Sequence, residues 1–177
     1  MAYTLQHLSD IEEIKVLKHR YFRGIDTGNI ELLSGLFTED VAVTYNGGTY
    51  KVSLSGRANM LEFLANSFHS GAVAMHMGLM PEIAITGDNS AHGVWSLQDV
   101  FIDLEKDDHT FGTAIYTDTY RREGGVWKIA TTCYDRVIEV LTKFGTMGGR
   151  VSVQRLAQTG RKPEERTDIS HLIHWDD

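Results

Sequence analysis

At 177 residues, with 42% hydrophobic and 23% charged side chains, the chain has the size and composition of one globular domain with a sizeable core. A formal net charge of −7 argues against nucleic acid as a partner, because phosphate binding requires a basic face. The single cysteine, Cys133, excludes an intrachain disulfide framework, and no apolar run reaches the roughly 18 residues of a membrane helix.

The start, Met1-Ala2-Tyr3-Thr4-Leu5-Gln6-His7, lacks the basic opening and apolar stretch of a signal peptide, so a cytoplasmic location is expected. Ser9-Asp10-Ile11-Glu12 reads as a capping box. Ile11, Ile14, Leu17, Tyr21 and Ile25 then recur at steps of three or four, which predicts a helix ending at Thr27-Gly28-Asn29. Asn29 can cap a short second helix through Phe37. Residues 41–45 read as a strand, Asn46-Gly47-Gly48 as a hairpin turn, and 49–54 as its return. A third helix is predicted over 57–68, with Met60, Leu61, Phe63, Leu64 and Phe68 as its apolar residues.

After Gly71 the pattern changes to four long β segments, about 73–86, 90–104, 110–122 and 126–141. Gly87-Asp88-Asn89, Lys106-Asp107-Asp108 and Glu123-Gly124-Gly125 separate them as turns. Helices followed by consecutive antiparallel strands predict an α+β domain with helices on one face of a sheet. Strands this long must bend, so the sheet is expected to curl around something. The domain spans 1–141 and a polar, glycine-punctuated tail spans 142–177, anchored by Leu156, Ile169, Leu172, Ile173 and Trp175. That tail reads either as a partly ordered end or as an arm over a pocket or a neighbouring subunit. Its basic residues (Arg150, Arg155, Arg161, Lys162, Arg166) are interrupted by acidic ones and read as solvated surface.

Strand alternation sorts the β segments into faces. His76 shares a face with Ala74, Gly78 and Met80, opposite Val73, Met75, Met77 and Leu79. On the next segment His92, Val94, Ser96 and Gln98 oppose Trp95, Leu97, Asp99 and Phe101. Tyr116, Asp118 and Tyr120 fall together on the third. On the last, Thr131, Cys133 and Asp135 alternate with Thr132, Tyr134 and Arg136. Met75, Met77 and Met80 add adaptable apolar surface near His76, of which alternation lets only some face a cavity.

The segment 17–26, the apolar strand around His76, and Tyr116-Thr117-Asp118-Thr119-Tyr120-Arg121-Arg122 with Gly125-Val126-Trp127-Lys128-Ile129 resemble the SnoaL-like branch of the nuclear-transport-factor-2-like superfamily, across roughly 8–141. The resemblance implies a cone-shaped α+β barrel, in which a curved antiparallel sheet and three helices enclose an open-mouthed cavity. It is similar to the lyases of that branch: scytalone dehydratase, hexachlorocyclohexane dehydrochlorinase and bile acid 7α-dehydratase. These work without cofactor through an aspartate–histidine pair. Carried over, Asp26 and His76 match that pair. Tyr21, five residues before Asp26, matches a tyrosine of the bile acid enzyme at that spacing, and Tyr45 falls where the two dehydratases present a tyrosine toward substrate. Thr132 stands where the dehydrochlorinase has a basic residue, and His92 is a loose candidate for a second histidine. His92, Asp118, Thr132 and Arg136 are the pocket candidates. The relatives are trimers or dimers, so a homo-oligomer is implied.

The chemistry fits these residue types. A carboxylate orients an imidazole, and a free imidazole titrates near about 6.5, suited to removing a proton near neutrality. A tyrosine hydroxyl can polarise a carbonyl. No metal or other cofactor is expected, since one histidine per strand lacks paired ligand spacing. Taken singly, His76 reads as a satisfied core histidine and Asp26 as a helix-end residue; the resemblance reverses that. The expected activity is a cofactor-independent, dehydratase-like lyase acting on a small to medium hydrophobic substrate. A ketosteroid-isomerase-like enzyme and a non-catalytic binding or assembly module are the alternatives. An epoxide hydrolase would need a further carboxylate–arginine set, which the sequence does not place.

Overall fold

Thr4, not Ser9, starts the first helix. In a computed structural model describing residues 3–175, the Thr4 hydroxyl accepts the His7 N–H at 3.1 Å, and α1 runs Leu5–Asp26. Met1, Ala2, Asp176 and Asp177 lie outside the described residues, and with them the first two residues of the signal-peptide reading and the last two of the tail. The expected capping box is absent because its residues are needed inside the helix. Asp10 is buried there and accepts from Gln6 Nε2 at 2.9 Å, from Arg122, and from Trp127 Nε1 at 3.4 Å. Asn29 does cap α2 (Ile30–Ser34), accepting the Leu32 N–H at 2.9 Å, but that helix stops short of Phe37.

Phe37 instead opens β1 (Phe37–Asn46), which pairs with β2 (Tyr50–Ser55); α3 follows at Arg57–Ser67. The four long strands are β3 (Ala72–Gly87), β4 (Ser90–Asp103), β5 (Asp108–Glu123) and β6 (Val126–Lys143), close to their predicted limits. The tail adds a short helix, α4 (Leu156–Thr159), and β7 (Ile173–Trp175). One sheet holds all seven strands in the order β3-β4-β5-β6-β1-β2-β7, with β1 parallel to β6 and every other pairing antiparallel. The sheet is curved and unclosed, a cone with helices over its concave face.

Irregularities bend the long strands and change which residues face inward. On β3 the register shifts between Leu79 and Glu82, where Met80 has a φ of 48°. Met80 therefore leaves the face of His76 and lies exposed, as do Met75 and Met77; of the methionines of which only some were expected to face a cavity, none lines it. On β6, Ala130 is an extra residue between the partners of Thr119 and Tyr120, and Val137 is another opposite Thr113 and Ala114. Trp127 and Ile129 face inward before the first bulge, and Thr132, Tyr134 and Arg136 after it. Strict alternation would have put these two sets on opposite faces.

The apolar stripe of α1 packs on the concave face, joining Ile14, Leu17, Tyr21 and Ile25 to Trp95, Tyr116, Tyr120 and Ile129. Within this core Lys18 Nζ meets Asp118 Oδ2 at 2.7 Å, both side chains fully buried. Tyr120 donates to the same oxygen at 2.8 Å and accepts from Trp95 Nε1 at 2.9 Å. Lys18 Nζ also lies 3.5 Å from the Tyr116 ring centre. Burial pulls the Lys18 ammonium below its ordinary pKa, and Asp118 opposes that shift. No helix among the described residues is long and apolar enough to cross a membrane.

Removing one half of the buried pair leaves an uncompensated charge. Lys18→Met is expected to cost about 3–5 kcal/mol and to lower the melting temperature by on the order of 10 °C. The double variant Lys18→Met/Asp118→Asn should recover most of that. Thermal denaturation of the three proteins checks this; a double variant as unstable as the single one would contradict it.

Candidate active site

Asp26 is the last residue of α1, and His76 lies on β3, the edge strand beside it. The carboxylate holds the histidine twice. Asp26 Oδ1 lies 2.6 Å from His76 Nδ1, and Oδ2 accepts the His76 backbone N–H at 3.0 Å. An edge strand leaves such N–H groups unpaired, so this second bond satisfies a donor the sheet cannot. With Nδ1 engaged, Nε2 is the nitrogen left for the cavity that His76 lines. Phe22 stacks on the imidazole at 6.2 Å with planes 10° apart, and Phe68 meets it edge-on at 5.4 Å. Gly78 makes room for this: a Cβ there would stand 2.2 Å from Phe22 Cε2.

The cavity measures about 380 Å³. Five tyrosines (21, 45, 50, 116 and 134) form much of its wall. The Tyr21 and Tyr45 hydroxyls are 3.0 Å apart, the Tyr45 ring stacks on Tyr134 at 4.5 Å, and the Tyr50 and Tyr134 hydroxyls bond to each other. Burial pushes the Tyr21 hydroxyl up to about 12 and those of Tyr45 and Tyr116 well above their ordinary value. They remain neutral O–H donors at any physiological pH.

One row of the sheet carries a second polar group. His76 is paired across β3 and β4 with Asp99, and Asp99 across β4 and β5 with Gly112. Arg136 reaches from β6 over that glycine, and its Nη1 donates to Asp99 Oδ1 at 2.5 Å. A Cβ on residue 112 would stand 2.4 Å from the same Nη1. Both side chains are more than nine-tenths buried, and both line the cavity. The carboxylate–arginine arrangement that the sequence did not place thus has one representative.

Of the residues singled out from the sequence, Tyr21, Tyr45, His76 and Arg136 line the cavity, with Asp26 behind His76. Three expected pocket residues do not line it. His92 faces away, because its neighbour Gly93 turns toward Trp95 and Tyr120. Asp118 is consumed by the ion pair with Lys18. Thr132 is enclosed in the packing at 1% exposure. Asp99, Tyr50 and Tyr134 were missed; an aspartate sharing a face with Trp95 and Leu97 was the available signal for the first.

The tail covers the cavity of its own chain. Ile169, Ile173 and Trp175 line it, and β7 extends the sheet through β2. Arg161 and Arg166, expected on a solvated surface, are its fastenings: Arg161 bonds Glu62 at 2.8 and 3.2 Å, and Arg166 bonds Glu105 at 2.7 and 2.6 Å. His69, Asp103 and Glu105 present ligand-type atoms within 4.8 Å of one another. Several of their polar atoms hold other partners: Arg166 takes both Glu105 oxygens, the Gly71 N–H donates to His69 Nδ1 at 3.0 Å, and two backbone N–H groups donate to Asp103 Oδ1. Glu105, with Glu62, serves as a latch for the tail.

A family model for the SnoaL-like domain matches residues 6–132. Among solved structures, the chain is similar to a hexachlorocyclohexane dehydrochlorinase from Novosphingobium barchaimii LL02, at 19% identity and a TM-score of 0.69, over 78% of this chain and 93% of that one. It is also similar to a proposed scytalone dehydratase from Novosphingobium aromaticivorans DSM 12444, at 19% identity and a TM-score of 0.65, over 75% and 87%. A protein of unknown function from Mycobacterium tuberculosis matches at 21% identity and a TM-score of 0.59, over 73% and 77%. At such identities the likeness establishes the fold.

The latch has a pH dependence. The bonds from Arg161 and then Thr167 hold the Glu62 carboxyl at about 2 against an ordinary 4.5, and Arg166 lowers Glu105 in the same direction. A depressed carboxylate contributes stability above its ordinary pKa and loses it as pH falls through the folded value. The tail is therefore expected to loosen between pH 4.5 and about 2. Hydrogen exchange should accelerate over 161–173 before it does in β5; simultaneous loss in both segments would contradict this.

Proposed function

The chain belongs to the SnoaL-like domain family, and from that premise we propose that it is a cofactor-independent lyase. It removes water, or a comparable leaving group, from a small to medium hydrophobic molecule. The observation that carries this reading is the double hold of Asp26 on His76, which turns Nε2 toward an aromatic cavity.

In the proposed reaction, neutral His76 takes a proton from carbon next to a carbonyl. Asp26 fixes the ring's tautomer and stabilises the imidazolium as it forms. Tyr45, bonded to Tyr21, donates its O–H to the carbonyl oxygen as negative charge develops there. The carbon–oxygen bond at the adjacent carbon then breaks, and the imidazolium returns its proton to the departing hydroxyl, giving a double bond and water. The apolar walls keep bulk water from competing. Isomerisation uses the same parts, with the proton returned to a more distant carbon.

Exposed apolar residues on the outer face (Met75, Met77, Leu79, Ile115, Ile138) support a homo-oligomer, trimer or dimer. Light scattering at micromolar concentration should give a multiple of the chain mass, and a monomer there would remove this part of the reading.

Activity is tested with a panel of β-hydroxy ketones, reading product mass. Loss of one water supports the lyase, unchanged mass the isomerase, and gain of one water an epoxide hydrolase when epoxides are supplied. His76→Ala and Asp26→Asn should each lower turnover by on the order of 10²–10⁴, and Tyr45→Phe by on the order of 10²–10³. Undiminished turnover in His76→Ala would sink the reading.

A further inference from the structure

We infer that Asp99 and Arg136 are specificity-determining residues that select a neutral, hydroxyl-bearing ring compound over a carboxylate. This deepens the proposed function, because it rests on reading the cavity as the substrate pocket. The pair is built into the wall rather than lying on a surface: its side chains are 6% and 7% exposed, and the guanidinium crosses β5 only because residue 112 is glycine. Nothing in the elimination uses it.

The unengaged atoms of the pair state what it can bind. Asp99 Oδ1 is taken by Arg136 Nη1, while Oδ2 has no hydrogen-bond partner among the described residues. Arg136 Nε reaches the Gly47 carbonyl only at 3.4 Å, which leaves Nη2 as a donor without a protein acceptor. One free acceptor beside one free donor fits a group that both donates and accepts, and a hydroxyl does both. The pair sums to zero charge. A carboxylate entering beside Asp99 meets a like charge at a side chain more than nine-tenths buried, and an ammonium meets Arg136, so both charged classes are disfavoured there.

The surroundings favour a flat ring as the carrier of that hydroxyl. Tyr45 and Tyr134 stack on each other, Arg136 lies 5.4 Å from the Tyr134 ring centre, and Phe63, Phe68 and Phe101 complete the aromatic lining. Asp99 is the direct cross-strand neighbour of His76. Such pairs have Cβ atoms about 5 Å apart, so a hydroxyl held by Asp99 fixes the ring beside Nε2.

The test is equilibrium binding to the full chain of 2-naphthol, 2-naphthoate and naphthalene, followed by calorimetry. The wild type should bind 2-naphthol at least about tenfold more tightly than 2-naphthoate, which is about 1.4 kcal/mol. Asp99→Asn leaves Arg136 without its counter-charge, so 2-naphthoate should gain about tenfold and 2-naphthol should weaken. Arg136→Gln should move the ratio the other way, and naphthalene should be indifferent to both. Opposite movements in two variants separate a recognition role from general damage, with thermal denaturation reporting folding. A wild type that prefers 2-naphthoate, or a ratio unmoved in the variants, overturns the inference. Turnover is not involved, so failure of the lyase reading through His76→Ala leaves this result standing, and the reverse also holds.

Discussion

The geometry of the cavity depends on one carboxylate at an unfavourable place. Asp26 stands at the C-terminal end of a 22-residue helix, where the helix dipole is negative and an acidic side chain is not favoured. Two donors offset that cost, the His76 imidazole and the His76 backbone N–H. The same bonds fasten the end of α1 to the free edge of the sheet and fix the direction of the ring. Helix position, sheet edge and imidazole orientation are thus one constraint, and a change in any of them disturbs the others.

Absent side chains matter as much as present ones. Gly78 admits Phe22 against the imidazole, and Gly112 admits Arg136 across a whole strand to Asp99. Neither glycine has a positive φ, so neither is needed for backbone freedom. Each is a gap in the wall that another side chain fills. The cone's inner surface is accordingly composed across strands, with His76, Asp99 and Arg136 forming one row through residues far apart in the chain.

The buried Lys18–Asp118 pair and the tail latch use charge in opposite ways. The first is fully enclosed and props the back of the tyrosine cluster, with its cation over Tyr116. The second is half exposed, made of arginine–glutamate pairs that titrate in acid while the sheet's apolar core does not. Its placement makes the tail part of the cavity while fastening it more weakly than the strands. The sheet carries the fold, and the tail completes the enclosure.

The sequence by itself determined the order of helices and long strands between residues 5 and 143. The 3.6-residue stripe of α1 and the turn residues between the long strands were legible, because local periodicity and turn chemistry act over a few residues; Asp26, His76, Tyr21 and Tyr45 stood out only through the resemblance to the SnoaL-like branch, since Asp26 and His76 are 50 positions apart. It did not determine which residues line the cavity beyond the first bulge. An inserted Ala130 or Val137 reverses the facing of everything after it, and only pairing with a neighbouring strand shows where the insertion sits. His92 and Asp118 keep the faces that alternation gave them, but which face lines the cavity, and that Lys18 takes Asp118, are properties of the folded sheet. The tertiary structure alone decided that Arg136 meets Asp99 and that the tail closes over its own chain. Both depend on contacts between residues 37 or more positions apart, which no local pattern encodes.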